Sequence, residues 1–155
     1  MKSSILLYVE DEKGDVFFMR HAFENLGAPA TIQIATTGPQ AIAYLAGTDM
    51  FSDRTIYPLP TVILLDINLP GCSGFDVLKW LREQPEYMHL PVIMFSSSIR
   101  PEDLQKARVL GATDYIEKPA SGLDFSLVAE QLWRNWMNEN PAPSSPARST
   151  NNSGS

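Results

Sequence analysis

The sequence predicts an α/β fold: a five-stranded parallel sheet, strand order 2-1-3-4-5, sandwiched between two layers of helices. Three observations carry that expectation. Short aliphatic runs alternate along the chain with helix-periodic segments, the pattern of a parallel sheet built with right-handed crossovers. Two of those runs, Ile5-Leu6-Leu7-Tyr8-Val9 and Val62-Ile63-Leu64-Leu65, are apolar throughout, as strands covered on both faces must be. Five such strands without a glycine-rich dinucleotide signal favour the order 2-1-3-4-5, whose switch point falls between the first and third strands.

Each element has its own justification. The first strand, Ile5-Leu6-Leu7-Tyr8-Val9, runs into Glu10-Asp11-Glu12. Residues 15–26 follow as a helix, with Val16, Met19, Phe23 and Leu26 at helical spacing and Gly27 placed to end it. Thr31-Ile32-Gln33-Ile34-Ala35 alternates polar and apolar, which suits an edge strand with one wetter face. Residues 39–47 open on Pro39 and close on Gly47, the punctuation of a helix. Residues 48–60 are polar and proline-bearing and read as a surface loop. Thr61-Val62-Ile63-Leu64-Leu65-Asp66 is the third strand, and Phe75, Leu78 and Leu81 mark a helix over 74–84. Pro91-Val92-Ile93-Met94-Phe95 is the fourth strand, ending in Ser96-Ser97-Ser98. Pro101-Glu102-Asp103 opens a helix that stops near Leu110-Gly111, and Thr113-Asp114-Tyr115-Ile116-Glu117 leads as fifth strand into Lys118-Pro119. The last helix is expected over 123–137, with Leu123, Leu127 or Val128, Leu132 and Trp136 along one side. The domain therefore spans 1–139. Residues 140–155, rich in Pro and Ser with almost nothing apolar, read as a disordered tail too short to be an output domain.

Composition narrows the function. A chain of 155 residues can bury a core, and 44% hydrophobic with 19% charged residues is ordinary for a soluble globular protein. Net charge is −6 and no stretch clusters Lys or Arg, which argues against nucleic-acid binding. Cys72 is the only cysteine, so no internal disulfide can form and a reducing compartment fits. The apolar run near the start stops at Glu10, too short for a signal segment or a membrane span. A cytoplasmic location is the expectation.

Chemistry concentrates at the carboxyl ends of the strands. The switch point lies where Glu10-Asp11 and Asp66 emerge, and ligands of open α/β sheets bind in that crevice. Three carboxylates brought together repel and raise one another's pKa, so a compensating cation is expected. All-oxygen ligands without His or Cys point to a hard ion, and Mg²⁺ fits. An aspartate beside Mg²⁺ can accept a phosphoryl group, because the metal offsets charge that would repel it. Lys118 can pair with phosphoryl oxygens, and Ser96 can donate a hydrogen bond to them.

With Val9-Glu10-Asp11, Leu65-Asp66-Ile67-Asn68-Leu69-Pro70-Gly71, Ser96 after a buried strand, Gly111-Ala112-Thr113-Asp114-Tyr115 and Lys118-Pro119 in this order, the chain resembles a response-regulator receiver domain of two-component signalling, of flavodoxin-like fold. The match covers roughly residues 3–138. The resemblance implies Asp66 as phosphoacceptor, with Asp11, Asp66 and the backbone carbonyl of Asn68 as Mg²⁺ ligands and Glu10 acting through a metal-bound water. It also implies Ser96 as switch hydroxyl, Tyr115 as the aromatic that follows it, and Lys118 as the phosphoryl-pairing amine. Two positions depart from the family pattern: Glu10 stands where Asp is common, and Ala120 follows Pro119 in place of a bulky apolar residue. Having no output domain, with a long 48–60 loop, the chain resembles the small regulators paired with phytochrome-type histidine kinases. The family also implies a homodimer through the face of residues 101–110, 113–118 and 123–137, to which Trp133 and Trp136 would add apolar surface.

Other readings compete for the same residues. Asp66 could be a helix cap, and Glu12 and Asp15 suit the start of the first helix, where acids meet the dipole. Tyr115 could be a half-buried strand aromatic. His21 and His89 lack metal-ligand spacing and are expected at the surface or partly packed; Cys72 has no His to activate it. An aspartyl phosphatase would need an acid two residues after the nucleophile, where this chain has Asn68. A flavin carrier would need a phosphate cradle where Glu10-Asp11-Glu12 stands. A receiver-shaped adaptor that never takes phosphate would lack a site residue, and none is missing. The expected protein is therefore a phosphorylation-activated binding module, not an enzyme, with a histidine kinase as donor.

Overall fold

A computed structural model describes residues 4–138 of the chain. Five strands, β1 (Ser4–Val9), β2 (Ala30–Ala35), β3 (Val62–Asp66), β4 (Val92–Ser96) and β5 (Asp114–Glu117), alternate with five helices, α1 (Lys13–Leu26), α2 (Gly38–Ala46), α3 (Gly74–Arg82), α4 (Pro101–Leu110) and α5 (Phe125–Leu132). The strands form one parallel sheet in the order β2-β1-β3-β4-β5, as expected, with the flavodoxin-like three-layer architecture. None of the described helices is long and apolar enough to cross a membrane. The tail expected from residue 140 lies outside the described residues.

The two-residue period of the strands sorts their side chains into two cores. Leu7, Val9, Ile63, Leu65, Val92 and Met94 pack with side chains of α2, α3 and α4 on one face. Leu6, Tyr8, Val62, Leu64, Ile93 and Phe95 pack with α1 and α5 on the other. Covered on both faces, β1, β3 and β4 need apolar side chains at nearly every position, which is why they read as continuous runs. β2 stands at the sheet edge as expected, but it is half-buried along most of its length with no wetter face.

Two expectations need correction. The helix expected over 123–137 is shorter: Leu123 sits in a 3-10 turn (Gly122–Asp124), and α5 begins at Phe125. Its buried side is Phe125, Val128, Ala129 and Leu132, while Leu123 and Leu127 face solvent. Beyond Leu132 the chain widens into a π-helical turn (Trp133–Met137), closed by Asn138 N–H donating to the Trp133 carbonyl at 2.8 Å. That wider turn returns Met137 to the core, where continued α-helical winding would carry it outward. The 48–60 segment is also more than a surface loop. It holds a 3-10 turn (Asp49–Ser52), a buried Phe51 and a half-buried Tyr57 packed against Tyr44.

Candidate functional site

The sheet register builds the site. Val9 lies opposite Leu65, so the next residues on the two chains, Glu10 and Asp66, emerge side by side. Oxygens of Glu10, Asp11 and Asp66 all lie within 4.8 Å of one another. Glu10 has no exposure to solvent and Asp66 almost none, whereas Asp11 is open to water. On the other side, Ser96 pairs with Glu117, and Lys118 N–H donates to the Ser96 carbonyl at 2.8 Å. This delivers the Lys118 side chain into the same crevice. Its Nζ stands 2.8 Å from Glu10 Oε1, 2.9 Å from Asp15 Oδ2 and 3.3 Å from Asp66 Oδ2.

Electrostatics follow from burial. Loss of water pushes the Glu10 carboxyl up to about 7; the neighbouring Asp66 adds to the rise and Lys118 opposes it. Burial alone would lower the Lys118 ammonium, but hydrogen bonds to Glu10 and Asp15 and the charge of Asp66 hold it above its ordinary value. Tyr8 lies beneath, its hydroxyl 3.3 Å from Glu10 Oε1 and pushed up by burial and by that carboxylate. Three carboxylates, Glu10, Asp15 and Asp66, thus face one ammonium, and a fourth, Asp11, stands beside Glu10 and Asp66. The surplus negative charge and the oxygen-only donors fit a hard divalent cation. Beside them an open cleft of about 460 Å³ is bordered by Asp11, Asn68 and the loop to Ser73, so a cation there could keep waters.

The loops around the crevice are fixed by local chemistry. Asp66 is not a helix cap: α3 begins only at Gly74, with Ser73 and Asp76 forming a reciprocal capping box. Asp66 Oδ1 instead accepts from Asn68 N–H at 3.2 Å. Gly74 is needed for close approach, since a Cβ there would fall 2.2 Å from the Asp66 carbonyl oxygen. Ser96 is buried, and its Oγ accepts from Ser98 N–H at 3.1 Å. The half-buried Tyr115 donates its hydroxyl to the Ser98 carbonyl at 2.8 Å. Ser96 and Tyr115 therefore grip the same peptide segment from two sides. Tyr115 also packs against the core, so the strand-aromatic reading and the contact with Ser98 both hold.

Glu12 caps α1 by accepting from Gly14 N–H, as its position suggested. Asp15 does more than meet the helix dipole, because it pairs directly with Lys118. That contact was missed by sequence reading. The available signal was that α1 starts directly after β1, which keeps its first turn at the carboxyl edge, while Lys118 has three donors to satisfy. His21 stacks on the exposed Phe17, and His89 is exposed. Cys72 is half-buried against Gly38, its thiol pushed up by burial and by Asp76, the opposite of activation.

Residues 6–126 match the response regulator receiver domain. The chain belongs to this family. It is similar to the probable methanogenesis regulatory protein FilR2 of Methanothrix harundinacea, 29% identical over 90% of this chain and 87% of that one. It is also similar to the response regulator Rcp1 of Synechocystis, 25% identical over 86% of this chain and 88% of the relative. Among solved structures, the phosphorylated cyanobacterial phytochrome response regulator RcpA superimposes with a TM-score of 0.83 at 27% identity, covering 92% of this chain and 99% of that one.

Proposed function

We propose that this chain is a phosphorylation-activated binding module in which Asp66 takes a phosphoryl group from the phosphohistidine of a sensor histidine kinase. The observation that carries the reading is the Lys118 ammonium 3.3 Å from a nearly buried Asp66, inside a cluster of acids that fits a divalent cation. In the transfer, a carboxylate oxygen of Asp66 forms a bond to phosphorus as the P–N bond to the kinase imidazole breaks. Mg²⁺, held by Asp11, Asp66 and the carbonyl of Asn68 with Glu10 behind them, would offset the charge of the incoming group. Lys118 pairs with phosphoryl oxygens in place of the Asp66 carboxylate, and Ser96 turns its hydroxyl toward them. The module signals by binding and not by turnover, because Asn68, two residues past Asp66, cannot exchange a proton near neutral pH.

The likeness to the phytochrome response regulator RcpA supports a phytochrome-type kinase as donor, and a module that such a kinase phosphorylates would work in the cytoplasm. A homodimer through α4, β5 and α5 completes the proposal. The test is acetyl phosphate with Mg²⁺, read by intact mass. Wild type gains one labile phosphoryl group and Asp66→Asn none; equal labelling of the two overturns the assignment.

A further inference from the structure

Lys118 meets three carboxylates, donating hydrogen bonds to Asp15 and Asp66 and ion-pairing with Glu10, and one of the three lies outside the acidic cluster around Asp66 with no expected role beyond the helix dipole. That carboxylate is Asp15, in the first turn of α1. It lies far in sequence from Lys118 but is brought to it because α1 follows β1 at the carboxyl edge of the sheet. The three distances are unequal: 2.8 Å to Glu10, 2.9 Å to Asp15 and 3.3 Å to Asp66. The ammonium is thus held most closely by the two carboxylates that do not react, and most loosely by the one that does.

Resting on the reading of Asp66 as phosphoacceptor, we propose that Asp15 is a positioning residue for Lys118. It fixes the ammonium at the site before transfer, so that the donor now on Asp66 is free to pass to a phosphoryl oxygen while the other two stay engaged. The physical need is plain. A lysine stem of four methylenes loses rotamer freedom when it is held, and a single fixed partner leaves it several orientations. Two anchors from separate segments, Glu10 just past β1 and Asp15 in the first turn of α1, hold the ammonium within 3.3 Å of Asp66. The stem's passage over the Phe95 ring, with Nζ 5.6 Å from the ring centre, restricts it further. Asp15 never touches the phosphoryl group. It acts through Lys118 alone.

A double-mutant cycle on the initial rate of mass gain with acetyl phosphate and Mg²⁺ tests this. Asp15→Ala is expected to slow labelling about tenfold, the scale of one charge-assisted hydrogen bond. Asp15→Asn, which keeps an acceptor oxygen at the same reach, is expected to recover most of the rate. In a Lys118→Ala background, Asp15→Ala is expected to cause no further loss. A fold defect would instead slow both backgrounds alike and would not be rescued by Asn. Wild-type labelling rates in Asp15→Ala, or losses that multiply in the double variant, overturn the proposal. Failure of Asp66 as acceptor is seen separately, as labelling of Asp66→Asn.

Discussion

Glu10 is a carboxylate without access to water, 2.8 Å from an ammonium and within reach of two more acids. Its pKa stands near 7 in the folded protein, against an ordinary carboxylate value in the unfolded chain, so the native state holds the proton more tightly. The stability this lends is complete below the unfolded pKa and is lost as pH climbs through 7. Glu10→Gln cannot lose a proton. In metal-free buffer it is expected to gain on wild type between pH 5 and pH 8 by on the order of 1–3 kcal/mol. Thermal unfolding of both proteins across that range decides it, and a gap that stays constant with pH would count against the buried-charge account. The raised Lys118 titrates at far more alkaline pH and leaves this window untouched. Glu10, Asp11, Asp66, Ser96 and Lys118 were legible in the sequence because each ends a strand, and a parallel sheet brings its carboxyl ends together. Asp15 and Gly74 were not: their roles depend on how closely α1 and α3 approach the sheet, a distance that no hydrophobic period encodes.

At the scale of elements, what decides the boundaries is side-chain chemistry at the ends. Strands β1, β3 and β4 were plain in the sequence since burial on both faces leaves no polar positions. The 48–60 segment was opaque because its apolar residues follow no period, so nothing tells the buried Phe51 and half-buried Tyr57 from their exposed neighbours Met50 and Ile56. Its anchor is Arg54, whose guanidinium donates to the carbonyls of Tyr44 (2.8 Å) and Leu45 (3.0 Å) at the end of α2 and of Tyr57 (3.2 Å) within the segment. Gly47 ends α2, and the guanidinium adds donors to the carbonyls of its last turn while strapping the segment down. Arg54→Ala is expected to destabilise the domain by about 1–3 kcal/mol, since it removes three charge-assisted hydrogen bonds to partly buried carbonyls. Hydrogen exchange should quicken across residues 48–60 in that variant. Unchanged exchange would mean that the Tyr44–Phe51–Tyr57 cluster holds the segment unaided. The last helix illustrates the opposite error. Of the expected stripe, Val128 and Leu132 do pack, joined by Phe125, while Leu123 and the alternative Leu127 face solvent; periodicity alone cannot say which of two apolar sides meets a sheet.

The whole molecule carries a surplus of negative charge at one edge of its sheet, and this has two consequences beyond the site. A divalent cation that binds only the folded state stabilises it by mass action, by about 1.4 kcal/mol at ten times Kd. Mg²⁺ should therefore raise the Tm of wild type and leave that of Asp11→Asn unmoved; an equal rise in both would show that the ion binds elsewhere. The second consequence is mechanical. Ser96 Oγ and the Tyr115 hydroxyl hold the two sides of the Ser98 peptide, and Ser98 Oγ donates to Asp103 at the start of α4 at 2.7 Å. On the proposed reading, a phosphoryl group that drew Ser96 toward Asp66 would take away the acceptor for Ser98 N–H, and both α4 and β5 would feel the loss. These are two of the three elements of the proposed dimer face. Trp133 and Trp136 were expected to supply its apolar surface, but both are half-buried against the core, so replacing either would test the core first. Exposed apolar residues there include Val109 on α4, 72% exposed, Leu127 on α5, 64% exposed, and Leu123 in the turn before α5, 83% exposed. Sedimentation of wild type should show a dimer that tightens with acetyl phosphate and Mg²⁺. Leu127→Arg should be monomeric in both conditions yet take the same single phosphoryl group, because the substitution lies on the solvent side of α5, away from the Asp66 crevice. A wild type that stays monomeric at all concentrations in both states removes the dimer, and the face is then left to a different protein, with phosphoryl transfer to Asp66 unaffected.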